Sequence, residues 1–333
     1  MENEKRKFTH FKIHTQYSIC EGAIKITDLG KYCKENKTQA IGLSDSFNLC
    51  GALEFSEEIS KSGTQPIIGT QINFIFNKVM GKIPIFAQTK KGFSNLTKLS
   101  SKSYLDVNET LPPHCNLDEL FLHSEDIIVT IGGLDSLLNH LIKKNITKEV
   151  EEFISKMMKT FNDRFYFEIQ RHNDPGEKYL ENNLLSLSKK FKVPLIASQE
   201  IFYISKDMFE AHDALLCIGQ KTYVDEKNRK KFSDQHFMKN SDELENLYKD
   251  IPEAIENNYN FPFRFSYKLK KLQPNLPSIK ISSNLSENDE LLSLSKIGLK
   301  NRLENFILKK KNTYDKAQIE KIYYERLNHE IEI

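Results

Sequence analysis

A chain of 333 residues with 39% hydrophobic and 28% charged residues can bury a large core as one large domain or two, and its net charge of +2 is too small to imply nucleic-acid binding by charge alone. The five cysteines (Cys20, Cys33, Cys50, Cys115, Cys217) are odd in number and form no CxxC pair, which argues against a disulfide framework and for a reducing compartment. The charged start has no apolar signal-peptide stretch, and no run approaches the roughly 18 apolar residues needed to span a bilayer, so the expectation is a cytoplasmic protein without membrane contact.

The first element is His10-Phe11-Lys12-Ile13-His14, read as a strand of period two that ends in the polar turn Thr15-Gln16-Tyr17-Ser18. Two imidazoles on one strand face could hold a metal, but position 12, where a third donor would strengthen the case, is lysine. A helix over 26–37, a strand over 40–45, a helix over 51–62 and a strand over 66–74 follow, the alternation of right-handed βαβ units. It continues with strands over 83–87, 126–131, 164–171 and 193–200, and helices over 93–104, 150–161, 179–191 and 209–218. About seven strands alternating with helices predict a closed (β/α) barrel, with an open doubly wound sheet as the alternative.

In such barrels the chemistry sits at the C-terminal ends of the strands. Those ends carry His14, Asp45, Gln71, Glu168 with His172, and Glu200. Past residue 230 the pattern changes to short helices near 241 and over 252–258, and then to a Pro-containing linker over 260–277. Helices over 284–308 and 318–333 carry apolar stripes but bring no strands, so they read as the start of an incomplete further domain.

Six ordered blocks carry a resemblance. They are residues 10–18, Gly42-Leu43-Ser44-Asp45 with Asn48-Leu49, Gly51-Ala52-Leu53-Glu54-Phe55, Pro66-Ile67-Ile68-Gly69, Gly92-Phe93-Ser94-Asn95-Leu96, and 210–218. In this order they resemble the N-terminal polymerase-and-histidinol-phosphatase (PHP) region of the bacterial DNA polymerase III alpha subunit. The resemblance implies an α/β fold: a distorted (β/α)7 PHP barrel followed by the first helices of a truncated palm domain. It implies a PHP domain over 1–270 (barrel core about 8–230, closing helices 231–270), a linker over 271–283, and an incomplete palm over 284–333. Tyr324-Glu325-Arg326-Leu327 with Glu330 resembles the helix before the palm core, which would leave the polymerase's catalytic aspartates outside this chain.

For the site, the resemblance implies loss. The positions that hold metal ligands in metal-binding PHP domains are here Lys12, His14, Asp45, Ser46, Gln71, Lys82, Glu200 and Phe202. Of these, His14, Asp45 and Glu200 remain plausible ligands. Ammonium groups have no acceptor for a metal, and a unit charge about 4 Å from a cation costs roughly 4 kcal/mol per charge product at an effective dielectric of 20. The expectation is therefore no metal and no cofactor bound by this chain, with Mg2+ serving the full polymerase. In place of the metal, a plug is expected in which Lys12 and Lys82 pair with Asp45 and Glu200, and His14 is a neutral hydrogen-bond partner.

His10, Glu168 and His172 are further polar candidates on the rim, with His172 expected in a loop hydrogen-bonding role. His212 is expected to be structural, and His114, His123, His140, His236 and His329 to lie on the surface. Cys50 and Cys217 are expected as core thiols and Lys309-Lys310-Lys311 as a solvated helix end; Gly132-Gly133 is too weak a signal for a phosphate loop. The function implied is the N-terminal part of a replicative DNA-directed DNA polymerase, inactive alone. Its barrel would stabilise the polymerase and dock the proofreading exonuclease subunit within the holoenzyme, with DNA contacted mainly through the missing domains. The alternatives are a stand-alone metal-dependent PHP phosphoesterase or 3′–5′ exonuclease and, on fold analogy alone, a barrel enzyme acting on small phosphates.

Overall fold

Short runs rich in Ile, Val, Leu and Phe between residues 10 and 201 pair into one sheet, and amphipathic stretches between them become helices packed on it. The computed structural model describes residues 6–105, 107, 110–275, 277, 285–309 and 316–333. In chain order the sheet and its helices are β1 (His10–Ile13), α1 (Ile26–Glu35), β2 (Ala40–Ser46), α2 (Ala52–Lys61), β3 (Gln65–Phe76), β4 (Val79–Ala87), α3 (Lys90–Leu105), β5 (His114–Asn116), α4 (Leu117–Leu122) and β6 (Ile127–Ile131). Then come α5 (Leu137–Lys143), α6 (Thr147–Phe161), β7 (Phe165–Ile169), α7 (Glu177–Phe191), β8 (Leu195–Ala197), β9 (Glu200–Ile201), α8 (Phe209–Gln220), α9 (Ser241–Leu247) and α10 (Pro252–Asn260).

The strand order is β8-β7-β6-β4-β3-β2-β1-β9, with β5 beside β3. Only Ser198 and Gln199 separate β8 from β9, so one interrupted strand pairs with β7 through its first half and with β1 through its second. The curled sheet is thereby drawn into the distorted barrel that the sequence predicts. Its seven staves are β1, β2, β3, β4, β6, β7 and β8/β9.

Three features depart from the sequence reading. β3 and β4 form an antiparallel hairpin with no helix between them. Asn77 (φ 47°) and Lys78 (φ 63°) both adopt the left-handed conformation that a two-residue type I′ hairpin requires. β5, α4 and α5 were not foreseen; α5 starts at Ser136, whose hydroxyl accepts from the Asn139 N–H. Finally, β1 does not keep the period of two. All four of its residues are buried, and its register against β2 shifts between His10 and Ile13, which breaks the period of two.

The barrel floor is aromatic and aliphatic. Phe11, Ala40, Ile67, Phe86, Ile128, Tyr166 and Ile196 meet there, closed from below by Phe261 and Phe265. Gly69 makes room for this layer, since a methyl group at its Cα would run into the Phe86 ring. The seam between β1 and β8 is stitched by buried Asn258 of α10. Its side chain accepts from Thr9 N (2.8 Å) and donates to Thr9 O (3.0 Å) and Ala197 O (2.9 Å).

The chain divides into two compact units, Met1–Lys271 and Leu272–Ile333. In the second, Ser286 caps α11 (Glu287–Arg302), a π-helical turn follows over Leu303–Ile307, and α12 (Lys316–Glu332) completes the pair. Leu291, Leu294, Ile297, Phe306 and Ile322 of this unit are more than half exposed. Asn284, the Lys310-Lys311 pair and most of the second half of the expected 271–283 linker lie outside the described residues.

Candidate functional site at the barrel mouth

Above the floor, the same strands turn polar. Lys12 of β1 is 2% exposed, and its Nζ lies 2.9 Å from Glu168 Oε1 and 3.6 Å from Glu200 Oε1. Glu168, fully buried on β7, also accepts from Thr130 Oγ1 (2.7 Å) on β6 and from the Gln170 amide. Gly132 allows this packing, because a Cβ there would collide with the Glu168 carbonyl. His14 Nε2 sits 2.9 Å from Glu200 Oε1, and the Gln71 amide nitrogen lies 2.9 Å from both, bridging them. His14 Nδ1 is 3.1 Å from Ser18 Oγ, which in turn donates to Asp45 Oδ1 at 2.7 Å.

The expected pairing is corrected at two residues. Among the described residues Asp45 meets no lysine: it accepts from Thr15 N (2.6 Å), Thr15 Oγ1 (2.7 Å) and Ser18, so it folds the exit turn of β1. Lys82 turns instead to Ser46 Oγ (3.3 Å) and Glu21 Oε2 (3.5 Å), while Ser46 Oγ donates to the same Glu21 oxygen at 2.6 Å. Phe202 fills its place with an aromatic stack, its ring 4.5 Å from His14 and 4.7 Å from Phe232.

Of the other candidates, Glu168 belongs to the cluster and His10 does not. The bulge in β1 sends His10 Nε2 to the Lys239 carbonyl (2.9 Å), and burial depresses its pKa to about 4, leaving it neutral. His172 is pinned between Glu177 Oε1 (2.8 Å) and the Glu200 N–H (3.1 Å). It stacks at 4.0 Å on His236, which is not the surface residue expected: it is 2% exposed and bonded to Glu200 O and Asp174. Cys50, expected in the core, is exposed.

The charges at the mouth support one another. Burial opposes the Lys12 charge, but Glu168 and Glu200 outweigh it and raise the ammonium's pKa. Burial would likewise raise Glu200, yet Lys12, His14 and Lys82 hold its carboxyl well below the usual range. Glu21 is lowered too, because Lys82 overcomes its desolvation. Asp45, facing hydroxyls and a backbone N–H, is raised by burial. A cleft of about 310 Å³ opens above, lined in part by Lys82, Asp135, Gln170, Glu200, Phe202 and Lys230.

These residues do not fit a metal. Lys12 puts an ammonium where a cation would have to meet both Glu168 and Glu200, and Gln71, Ser46 and Phe202 offer weak donors or none. Among the described residues, no group of three or more His, Cys, Asp or Glu side chains is placed to hold a metal ion. Chemically the arrangement can hold charge and shape; each of its carboxylates is already engaged by a cation, a hydroxyl or a backbone N–H. Sequence reading found Lys12, His14 and Glu200 but missed Glu21, Thr130, Gln170 and the Lys12–Glu168 pair. Tyr166, Glu168 and Gln170 alternate along β7 and its end, a signal that could have placed Glu168 inside; Glu21 sits in a loop and gave none.

Known proteins match this architecture. The PHP domain family matches residues 10–172. The DNA polymerase III subunit alpha of Caulobacter vibrioides is 34% identical over 338 residues, covering 99% of this chain and 29% of that protein. The subunit of the same name from Rickettsia bellii is 30% identical, covering 98% of this chain and 28% of that protein. A solved amidohydrolase from Chromobacterium violaceum overlays at a TM-score of 0.41 with 8% identity, covering 62% of this chain and 96% of that one, too loosely to bear on function. The chain thus spans a little over a quarter of the length of these curated relatives. Residues 10–172 form a PHP domain, and the chain as a whole is a homologue of the N-terminal, PHP-bearing region of the bacterial DNA polymerase III alpha subunits.

Proposed function

We propose that this chain is the N-terminal part of a replicative DNA-directed DNA polymerase, and that its barrel is a degenerate PHP domain serving as scaffold and as docking site for the proofreading exonuclease subunit. The observation that carries the scaffold reading is the Lys12 ammonium lodged between Glu168 and Glu200, which replaces a catalytic cation with a fixed internal one. Nucleotidyl transfer would belong to the rest of the protein, through Mg2+ held by palm carboxylates outside this chain. The pair α11 and α12 would be the first palm helices, preceded by a linker after the barrel. Assembly with the replicase holoenzyme and a cytoplasmic location follow from the same reading. Among the described residues no helix is long and apolar enough to cross a membrane.

Two measurements test this. Elemental analysis of the purified chain, with hydrolysis of a model phosphodiester in added manganese, is expected to give sub-stoichiometric metal and background rates. Near-stoichiometric zinc or manganese that H14A abolishes, together with turnover, would instead establish a stand-alone phosphoesterase or exonuclease. Pull-down of the proofreading subunit by this chain is expected to succeed; absence of binding at micromolar concentration would remove the docking role.

A further inference from the structure

The chain carries 46 acidic residues, yet none falls between Glu256 and Glu287, while Arg264, Lys268, Lys270, Lys271 and Lys280 do. We propose that part of this acid-free segment, residues 266–271 together with Phe263, is a contact site for single-stranded nucleic acid on the barrel's outer face.

After Phe265 closes the floor, the chain runs extended across the helices and is fixed there. Ser266 N donates to Gln88 O at 2.9 Å, the Tyr267 ring lies 5.6 Å from Phe93, and Ser56 Oγ donates to Leu269 O at 2.8 Å. Leu269 packs against the core beneath α1 and α2. Tyr267 and Leu269 are half-buried, whereas Lys268 and Lys270 are exposed. Alternation of this kind sets the two lysines on one edge, about 7 Å apart in an extended chain. A cationic row on a docked backbone loses less conformational freedom on binding than one on a free tail.

The lysines of this strip differ from those elsewhere. At the mouth, Lys12 and Lys82 are spent on carboxylates. Here Lys271 reaches Glu57 at 3.1 Å, but Lys268 and Lys270 have no carboxylate partner among the described residues. Grooves of about 500 Å³ and 420 Å³ flank the strip, and both are bordered by Lys268 and Ser60. The Ser60 hydroxyl is buried and makes no hydrogen bond. Just upstream, Phe263 is 82% exposed. Lysines without a carboxylate partner beside a groove, with an exposed aromatic ring on the same stretch of chain, are the combination that binds single strands, the ammoniums tracking phosphates and the ring stacking on a base. An acidic peptide would use the lysines but has no need of the ring.

The test is fluorescence anisotropy of a labelled oligothymidylate with the intact chain over a salt series, independent of any polymerase activity. The wild type should bind at about 50 mM salt and weaken steeply as salt rises. K268E/K270E should lose about tenfold or more and flatten the log–log salt slope by roughly 1.4, the loss of two single-strand phosphate contacts. F263A should weaken binding about fivefold or more with the slope unchanged. K143E/K144E, at the exposed end of α5, makes the same net charge change and should leave the slope intact. Circular dichroism checks that each variant is folded. No wild-type binding at low salt, or equal weakening by K143E/K144E, overturns the proposal. So does polyglutamate binding as tightly as oligothymidylate, which would assign the strip to acidic peptides.

Discussion

The mouth and the floor of this barrel are built from inward positions of the same strands, and they are held by opposite physics. At the floor, β4 contributes Phe86, β6 Ile128 and β7 Tyr166, packed with Phe261 and Phe265. Further along the strands, one residue on in β1, two in β6 and β7 and four in β3, the chain offers Lys12, Thr130, Glu168 and Gln71, joined by charge and hydrogen bonds. The floor gains from dispersion and dehydration, which need only shape and volume. The mouth instead balances the cost of burying ions against their mutual attraction, which leaves no member removable on its own. The ion cluster satisfies the polar positions that the floor's chemistry cannot fill.

The largest expected effect tests the mouth. Lys12→Ala leaves Glu168 and Glu200 facing each other in the interior and should cost about 3–5 kcal/mol in urea unfolding. A loss under about 1 kcal/mol would mean that the ion cluster is ornamental. The pH dependence of this cluster is predicted to be flat over the middle range. Glu200, lowered from 4.5, stabilises above that pH and loses its contribution only as the pH falls through its folded value. Lys12, raised from 10.5, stabilises below that pH and fails only above its folded value.

Glu177, at the edge of the mouth, behaves oppositely. Burial pushes its carboxyl up to about 7, so its contribution is full below about 4.5 and is lost as the pH rises through 7. Relative to wild type, E177Q should therefore gain stability between pH 4.5 and 8, by up to about 3 kcal/mol. Parallel stability profiles for the two proteins would contradict this. The smallest effect tests the floor. Gly69→Ala forces a methyl against Phe86 and should cost about 1–3 kcal/mol, with little change in the pH profile. If the pH profile changed as well, the two layers would be coupled, not separate.

Much of the fold was legible in the residues. The β-branched runs, the helical spacing of α6 (Val150, Phe153, Ile154, Met157, Phe161) and the strand-end polar residues all depend on local periodicity, which the chain carries on its face. The β3–β4 hairpin was missed because Asn77-Lys78 takes a conformation that Asn-Gly would have announced. The site was half legible. Lys12 was read as an ammonium paired with carboxylates, and Glu200 lies 3.6 Å from it, but the nearer partner, Glu168, 156 positions away, was not foreseen as one, and Asp45 holds the β1 exit turn instead.

That contrast marks the division between the two sources. By itself the sequence determined the layered α/β alternation and the gathering of polar and charged residues at the strand ends, because these follow from residue type and spacing. Only the tertiary structure decided which charge meets which, how Asn258 stitches β1 to β8, and why the β1 bulge removes His10 from the mouth. Ion pairing and seam closure depend on distances between residues far apart in the chain. A one-residue shift of register turns a side chain to the other face, and no local pattern records that shift.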